Sequence, residues 1–186
     1  MNDLDTLIAL GARLDDSVSG GSVRHLIMRA LLRIRDRQGR LVRLEPNRAQ
    51  RQFAAACGKR NIVLKARQLG ITTYVAARFF VSTITRPGTV SVQVAHDRES
   101  AEEIFRIVHR FLENLPERLR AGAVATSRDN VGQIVFAHLD SEYRVESAGD
   151  AITNRQILDA DKFRDGLSKV IDGTVQCLNA SAWAKQ

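Results

Sequence analysis

The stretch that most limits how this chain can fold runs Asn61-Ile62-Val63-Leu64, then Lys65-Ala66-Arg67-Gln68-Leu69-Gly70-Ile71-Thr72-Thr73, then Tyr74 to Ile84. An apolar run of strand length leads into a turn with one glycine and a pair of hydroxyls. A helix-compatible run leaves it. Strand, turn and helix in that order is the setting in which backbone amides gather around an anion. On the eight-position phosphate-loop pattern, Gly70 takes the second glycine and Thr72 the hydroxyl that would ligate magnesium. Lys65 stands where the first glycine belongs, and Ile71 where the lysine belongs. Spacing by itself leaves open the alternative of a plain strand-to-helix turn with a basic flank.

Charge distribution argues against the plain turn. From Pro46 through His96 there is no aspartate or glutamate, while Arg48, Arg51, Lys59, Arg60, Lys65, Arg67, Arg78 and Arg86 all fall there. A segment that receives a polyanion gains from having no carboxylate nearby, whereas ordinary surfaces mix both signs. The basic balance of the whole chain is carried by 23 arginines against five lysines. The guanidinium fork suits phosphate, although a GC-rich genome would produce the same bias. Between Arg24 and Arg51 nine arginines face two acids, Asp36 and Glu45. That segment reads either as a solvated basic face or as a patch touching DNA or a neighbouring subunit.

With 186 residues the chain suits one domain with an N-terminal extension. No apolar run approaches the roughly 20 residues that span a bilayer. Met1 to Ala12 lacks the pattern of a secretory signal, so a soluble cytoplasmic protein without a membrane partner is expected. Cys57 and Cys177 read as reduced core residues, and His25, His96, His109 and His138 are too scattered for a metal site.

Taken in order, residues 2–16 form an amphipathic helix pattern with Leu4, Leu7, Ile8 and Leu14 on one side. Ser17 to Ser22 reads as a flexible break, Val23 to Ile34 as helix or strand, and Asp36 to Gly39 as a turn. Pro46-Asn47 opens a helix to about Cys57, with Asn47 as N-cap and Gly58 as stop. Thr89 to Ala95 alternates as a strand, and Asp97 caps a long helix ended by Pro116. Gln133–Ala137 and Tyr143–Ser147 read as two strands around Asp140-Ser141. Arg155–Leu158 reads as a short strand ending in Asp159-Ala160-Asp161, and Phe163 to Leu178 as helix-compatible. Alternating strands and helices imply an α/β fold with parallel central strands.

Several of these elements resemble, in order, the N-terminal ATPase domain of the large terminase subunit of tailed bacteriophages. They are Pro46-Asn47-Arg48-Ala49-Gln50, the Lys65 to Thr73 loop, Val94-Ala95-His96, Ser147-Ala148-Gly149 and Ile157-Leu158-Asp159-Ala160-Asp161. The resemblance covers roughly residues 44–180. It implies a P-loop NTPase-like three-layer α/β sandwich with a mostly parallel central sheet. Residues 1–43 would then be the arginine-rich extension and 44–186 an ATPase-like domain.

The resemblance further implies ATP and Mg²⁺ as cofactors. Lys65, Ala66, Arg67, Gln68, Leu69, Gly70, Ile71, Thr72 and Thr73 would form the nucleotide-binding loop. Within it Lys65 would contact phosphate, Arg67 would sense it, and Thr72, or Thr73 beside it, would hold the metal. Gln50 resembles the glutamine that reads adenine through its amide edge, a donor and acceptor matched to the base's own pair. Double-stranded DNA is the implied partner, together with a portal protein, a small terminase subunit and further copies of the chain, in the cytoplasm of a bacterial host.

A motor ATPase needs one carboxylate at the metal and usually a glutamate that orients the attacking water. If Asp161 is the metal carboxylate, Lys162 stands where that glutamate is expected. If it is Asp159, Asp161 would serve with altered geometry. The sequence therefore argues for nucleotide binding more firmly than for hydrolysis. Family members carry a C-terminal nuclease domain with clustered aspartates, and the chain has no such cluster, so a truncated or degenerate motor domain without nuclease activity is expected. Two readings remain beside it: a non-catalytic nucleotide- or DNA-binding module of the same fold, and an unrelated basic nucleic-acid-binding protein.

Overall fold

The computed structural model describes residues 3–15, 20–58, 61–65, 69–130, 132–147 and 175–179. In chain order the elements are helices α1 (Asp3–Ala12) and α2 (Gly20–Leu31), strands β1 (Arg33–Arg35) and β2 (Leu41–Arg43), and helix α3 (Arg48–Ala56). Strand β3 (Asn61–Lys65) precedes helix α4 (Ile71–Thr85), and strand β4 (Val90–Ala95) precedes helix α5 (Arg98–Glu113). Strands β5 (Arg128–Asn130), β6 (Gln133–Phe136), β7 (Ser141–Ser147) and β8 (Val175–Asn179) follow.

Helix α4 is the axis of the molecule. Apart from Arg78 its residues are apolar, aromatic or small hydroxyl-bearing, and ten of its 15 residues are buried, as expected of a helix enclosed by protein. It touches α1, α2, α3, α5, β4, β7 and β8. Phe80, fully buried, sets its ring 5.7 Å from Phe111 of α5, 6.3 Å from Phe136 of β6 and 6.5 Å from Tyr143 of β7. Thr83 ties the same helix to the sheet by polar contacts. Its hydroxyl lies 2.7 Å from that of Ser91, and its carbonyl accepts from the Ser141 hydroxyl at 2.8 Å. Buried hydroxyls need such partners, and these fix the helix's height over the strands.

The segment before residue 44 is built into this same core. Leu7, Leu14, Val23, Ile27, Met28 and Leu32 are buried in one cluster with Tyr74, Phe80 and Ile84. A methyl group at Gly11 would meet the Thr85 carbonyl oxygen at 2.0 Å, so α1 and α4 cross with backbones nearly in contact. Only glycine permits that approach.

The chain is a mixed α/β protein. Strands β3 and β8 pair in parallel, with Asn61 opposite Val175 and Lys65 opposite Asn179. The four-stranded sheet runs β4-β7-β6-β5. Its β4–β7 pair is parallel, whereas β6 joins β7 and β5 antiparallel. Among the described residues the sheet is therefore mixed rather than mostly parallel, because the short β5–β6–β7 connections favour antiparallel neighbours. Along β7, Ser141, Tyr143, Val145 and Ser147 are buried and Glu142, Arg144 and Glu146 are not, the alternation of a half-covered strand.

Most expected elements stand within one or two residues of their sequence positions. Two readings need correction, and the expected Asp36–Gly39 turn proves to join two short strands. Residues 175–178, read as the end of a helix-compatible run from Phe163 to Leu178, belong to strand β8. Gly173 interrupts helical propensity there, and the partner strand lies more than 100 residues earlier. The break over Ser17–Ser22 is shorter than expected, because Gly20 to Ser22 already belong to α2. Arg33–Arg35 and Leu41–Arg43 form an antiparallel hairpin around the Asp36–Gly39 turn, where Gly39 has φ +78°. The strand expected at Arg155–Leu158 lies outside the described residues. None of the described helices is long and apolar enough to cross a membrane.

Candidate functional site

The turn from β3 into α4 is held from outside by helix α3. Asn47 is the N-cap of α3, and its Oδ1 accepts from the Gln50 amide at 3.0 Å while Gln50 Oε1 accepts from the Asn47 amide at 2.9 Å. This reciprocal capping box leaves both side-chain NH₂ groups free to point away from the helix. They reach across 20 or more residues to consecutive carbonyls of the turn: Asn47 Nδ2 donates to Leu69 O at 3.1 Å, and Gln50 Nε2 to Gly70 O at 2.8 Å. The capping geometry of one helix thereby positions the entry of another.

Gly70 is the N-cap of α4 and adopts the left-handed conformation, φ +68° and ψ 16°. Its carbonyl receives both Gln50 Nε2 and the Tyr74 amide, the latter at 3.0 Å. A methyl on Gly70 would lie 2.9 Å from Gln50 Nε2. Glycine is thus required by the backbone conformation, and a side chain there would also push the Gln50 amide aside. No side chain caps α4. The first-turn amides of a helix lack intrahelical partners, and together with the helix dipole they favour an anion.

Residues of the expected loop divide between those the structure places and those outside the described residues. Lys65 closes β3. Leu69 is exposed and Gly70 begins the helix, with Thr72 and Thr73 half-buried in its first turn. Ala66, Arg67, Gln68, Asp159, Asp161 and Lys162 lie outside the described residues. Ile71 is 3% exposed and belongs to the packed face of α4, which gives a physical reason for the missing lysine: a cation at this position would begin inside the core. Gln50 is 8% exposed. Its oxygen and one of its N–H groups are engaged within the chain, so in this structure the amide expected at adenine's edge holds the turn.

A second cluster fastens the supporting helices. His25 Nε2 lies 2.6 Å from the Tyr74 hydroxyl, and the Phe53 ring meets that of Tyr74 edge-on at 6.1 Å. The Arg78 guanidinium sits 5.7 Å from the centre of the Phe53 ring and 6.0 Å from that of Tyr74. Buried Arg24 donates to Arg78 O at 3.2 Å and to Ser82 Oγ at 3.0 Å. Burial, aided by Arg78, Arg24 and Arg51, holds the His25 pKa below its usual value, and burial raises that of Tyr74. The pair is thereby held as a neutral imidazole beside a neutral phenol, with the tautomer of the ring deciding which of the two donates. Neither His25 nor Tyr74 stands out in the sequence. Their only signal is polar character on helices whose inward positions are mostly apolar.

Among the described residues no group of three or more His, Cys, Asp or Glu could hold a metal. What the described part of the turn can do is present amide donors and two threonine hydroxyls, one face of an anion site. No known family model and no curated protein sequence matches the chain.

Proposed function

We propose that the chain is a nucleotide-binding α/β domain of the terminase motor type, with the β3–α4 turn as its phosphate site and a P-loop-like three-layer sandwich as its full architecture. The observation that carries this reading is the turn itself: a left-handed glycine opens an uncapped helix after a parallel strand, and two amide side chains hold its carbonyls. Open α/β sheets receive ligands at the carboxyl ends of their strands, which is where this turn lies. The stretch from Pro46 to His96 without a carboxylate supports the same ligand.

In this reading the first-turn amides of α4 take the terminal phosphates of ATP, and Lys65 and Arg67 offset their charge. Thr72 would hold Mg²⁺ through its hydroxyl, with Asp159 or Asp161 completing the set. The half-buried threonine in the first turn fits that role. The metal would neutralise phosphate charge. Duplex DNA, a portal protein, a small subunit and further copies of the chain are the partners that belong to a packaging motor, at work in the bacterial cytoplasm.

Binding without turnover is the second reading, favoured by Lys162 standing after Asp161. Loss of a general base typically costs about 10²–10⁴ in rate.

ATP affinity with and without Mg²⁺ tests the site. Lys65→Ala and Thr72→Ala should each weaken it. If neither does, the turn carries no nucleotide. Phosphate release then separates motor from binding module, with slow or no release expected. Lys162→Glu should raise release if Asp161 faces the metal.

A further inference from the structure

The β1–β2 hairpin concentrates charge on one face by register alone. Arg33 pairs with Arg43 and Arg35 with Leu41, while Ile34 pairs with Val42 between them. Side chains alternate across a strand, so Arg33, Arg35, Leu41 and Arg43 share one face, and Ile34 and Val42 share the other. Ile34 packs against the core, and the hairpin rests on α2 and α5. The arginine face is therefore turned away from the body. Arg35, Arg37, Arg40 and Arg43 are exposed, as is Leu41 at 50%.

Two arginines directly opposite on one face repel each other, which normally weakens a strand pair. Part of the charge has local work. Arg33 donates to the Ala30 and Leu32 carbonyls at the end of α2, and Arg40 pairs with Asp36 at 3.0 Å. Asp36 also accepts from the Gln38 and Arg40 amides at 2.9 Å each, so the hairpin's one carboxylate is committed to its turn. Arg35 donates to Gly39 O at 2.9 Å. Among the described residues Arg35, Arg37 and Arg43 meet no carboxylate.

We propose that this face grips the phosphate backbone of double-stranded DNA. The partner comes from the motor reading above, and the surface is one that reading did not contain. Arginine forks match phosphate, and a two-stranded ribbon has the dimensions to lie along a duplex groove. Residues 33–43 contain no aromatic side chain, so the face offers charge without the stacking platform that single strands require. Contacts of this kind position a duplex and carry no sequence information.

The experiment compares the native chain with an Arg35→Gln/Arg37→Gln/Arg43→Gln variant, which leaves Arg33 and the Asp36–Arg40 turn intact. A second variant, Arg98→Gln/Arg106→Gln, removes exposed arginines from α5 as a control. Binding to a random-sequence DNA duplex is measured from 50 to 200 mM salt, beside ATP binding by the same preparations. The hairpin variant should lose at least about tenfold in duplex affinity at the low-salt end. The slope of log K against log salt should become shallower by about 3, roughly 0.9 for each phosphate that the variant no longer neutralises. The α5 variant should match the native chain, and ATP binding should be unchanged in both. Equal loss in the two variants, or no loss in the hairpin variant, overturns the hairpin proposal while leaving the motor reading in place. Failure of the native chain to bind duplex DNA overturns both. Hairpin-dependent binding of single-stranded RNA but not of the duplex overturns the choice of partner.

Discussion

Replacing Gly70 by alanine tests the geometry of the turn with a cost that can be worked out in advance. A residue with a side chain held at left-handed φ and ψ loses about 1–2 kcal/mol. The added methyl would lie 2.9 Å from Gln50 Nε2, which displaces that amide from Gly70 O. Losing one partner of a buried hydrogen bond costs about 1–3 kcal/mol more. The sum, about 2–5 kcal/mol, corresponds to a fall of roughly 5–20 °C in melting temperature for a chain of this size. Far-UV circular dichroism during urea and thermal unfolding reads both quantities. A double-mutant cycle separates the two causes, since in a Gln50→Ala background the methyl meets no amide and only the backbone cost remains. The coupling between Gly70→Ala and Gln50→Ala should be about 1–3 kcal/mol. Gly70→Asn should cost less of the backbone part, because asparagine tolerates the left-handed region. A loss under about 0.5 kcal/mol for Gly70→Ala, or a coupling indistinguishable from zero, would refute the claim that α3 holds this turn through Gln50.

Three further outcomes follow from neighbouring residues. Asn47→Asp keeps the oxygen that caps α3 but removes the donor to Leu69 O; stability by urea unfolding should change by less than the ~1 kcal/mol of a lost cap, while ATP affinity by calorimetry falls. Ile71→Lys restores the lysine of the phosphate-loop pattern yet buries an ammonium, so unfolding measurements should register a loss of about 2 kcal/mol or more with no gain in ATP affinity. Because the folded protein holds the His25 pKa down, the unfolded chain binds the proton more readily. Stability should therefore fall as pH drops below about 6.5, and His25→Gln should flatten urea-unfolding profiles between roughly pH 7.5 and 5.5.

What the sequence made legible is what depends on neighbours a few residues apart. Asn47 as N-cap, Asp97 as N-cap and the boundaries of α3 and α5 follow from spacings of three and four residues. The second task of Asn47 does not, since Leu69 lies 22 residues on and nothing in either segment names the other. The same distance hides the Tyr74–His25 pair and the burial of the first helices beside α4. Strand β8 escapes a reading of the sequence for a related reason. Val-Gln-Cys-Leu-Asn is compatible with helix or strand, and its pairing with Asn61–Lys65 decides the matter from far away.

The two departures from the phosphate-loop pattern can be read together once the turn is placed. Ile71 occupies the lysine position, and its burial at 3% exposure makes it part of the surface on which α4 packs. The first turn of α4 thus offers amides and hydroxyls, and its position 71 is taken up by packing. A triphosphate at this turn would still need positive charge near its terminal oxygens, and it must arrive from outside the helix. Lys65 at the end of β3 and Arg67 two residues later are the basic residues that the chain supplies on the approach. In the nucleotide-binding reading the missing lysine and the displaced one would be a single feature: the core claims the helix position, and the cation would come from the strand upstream. Nucleotide titrations of paired variants check this, because Lys65→Ala should cost more affinity than any substitution at Ile71 that preserves the packing.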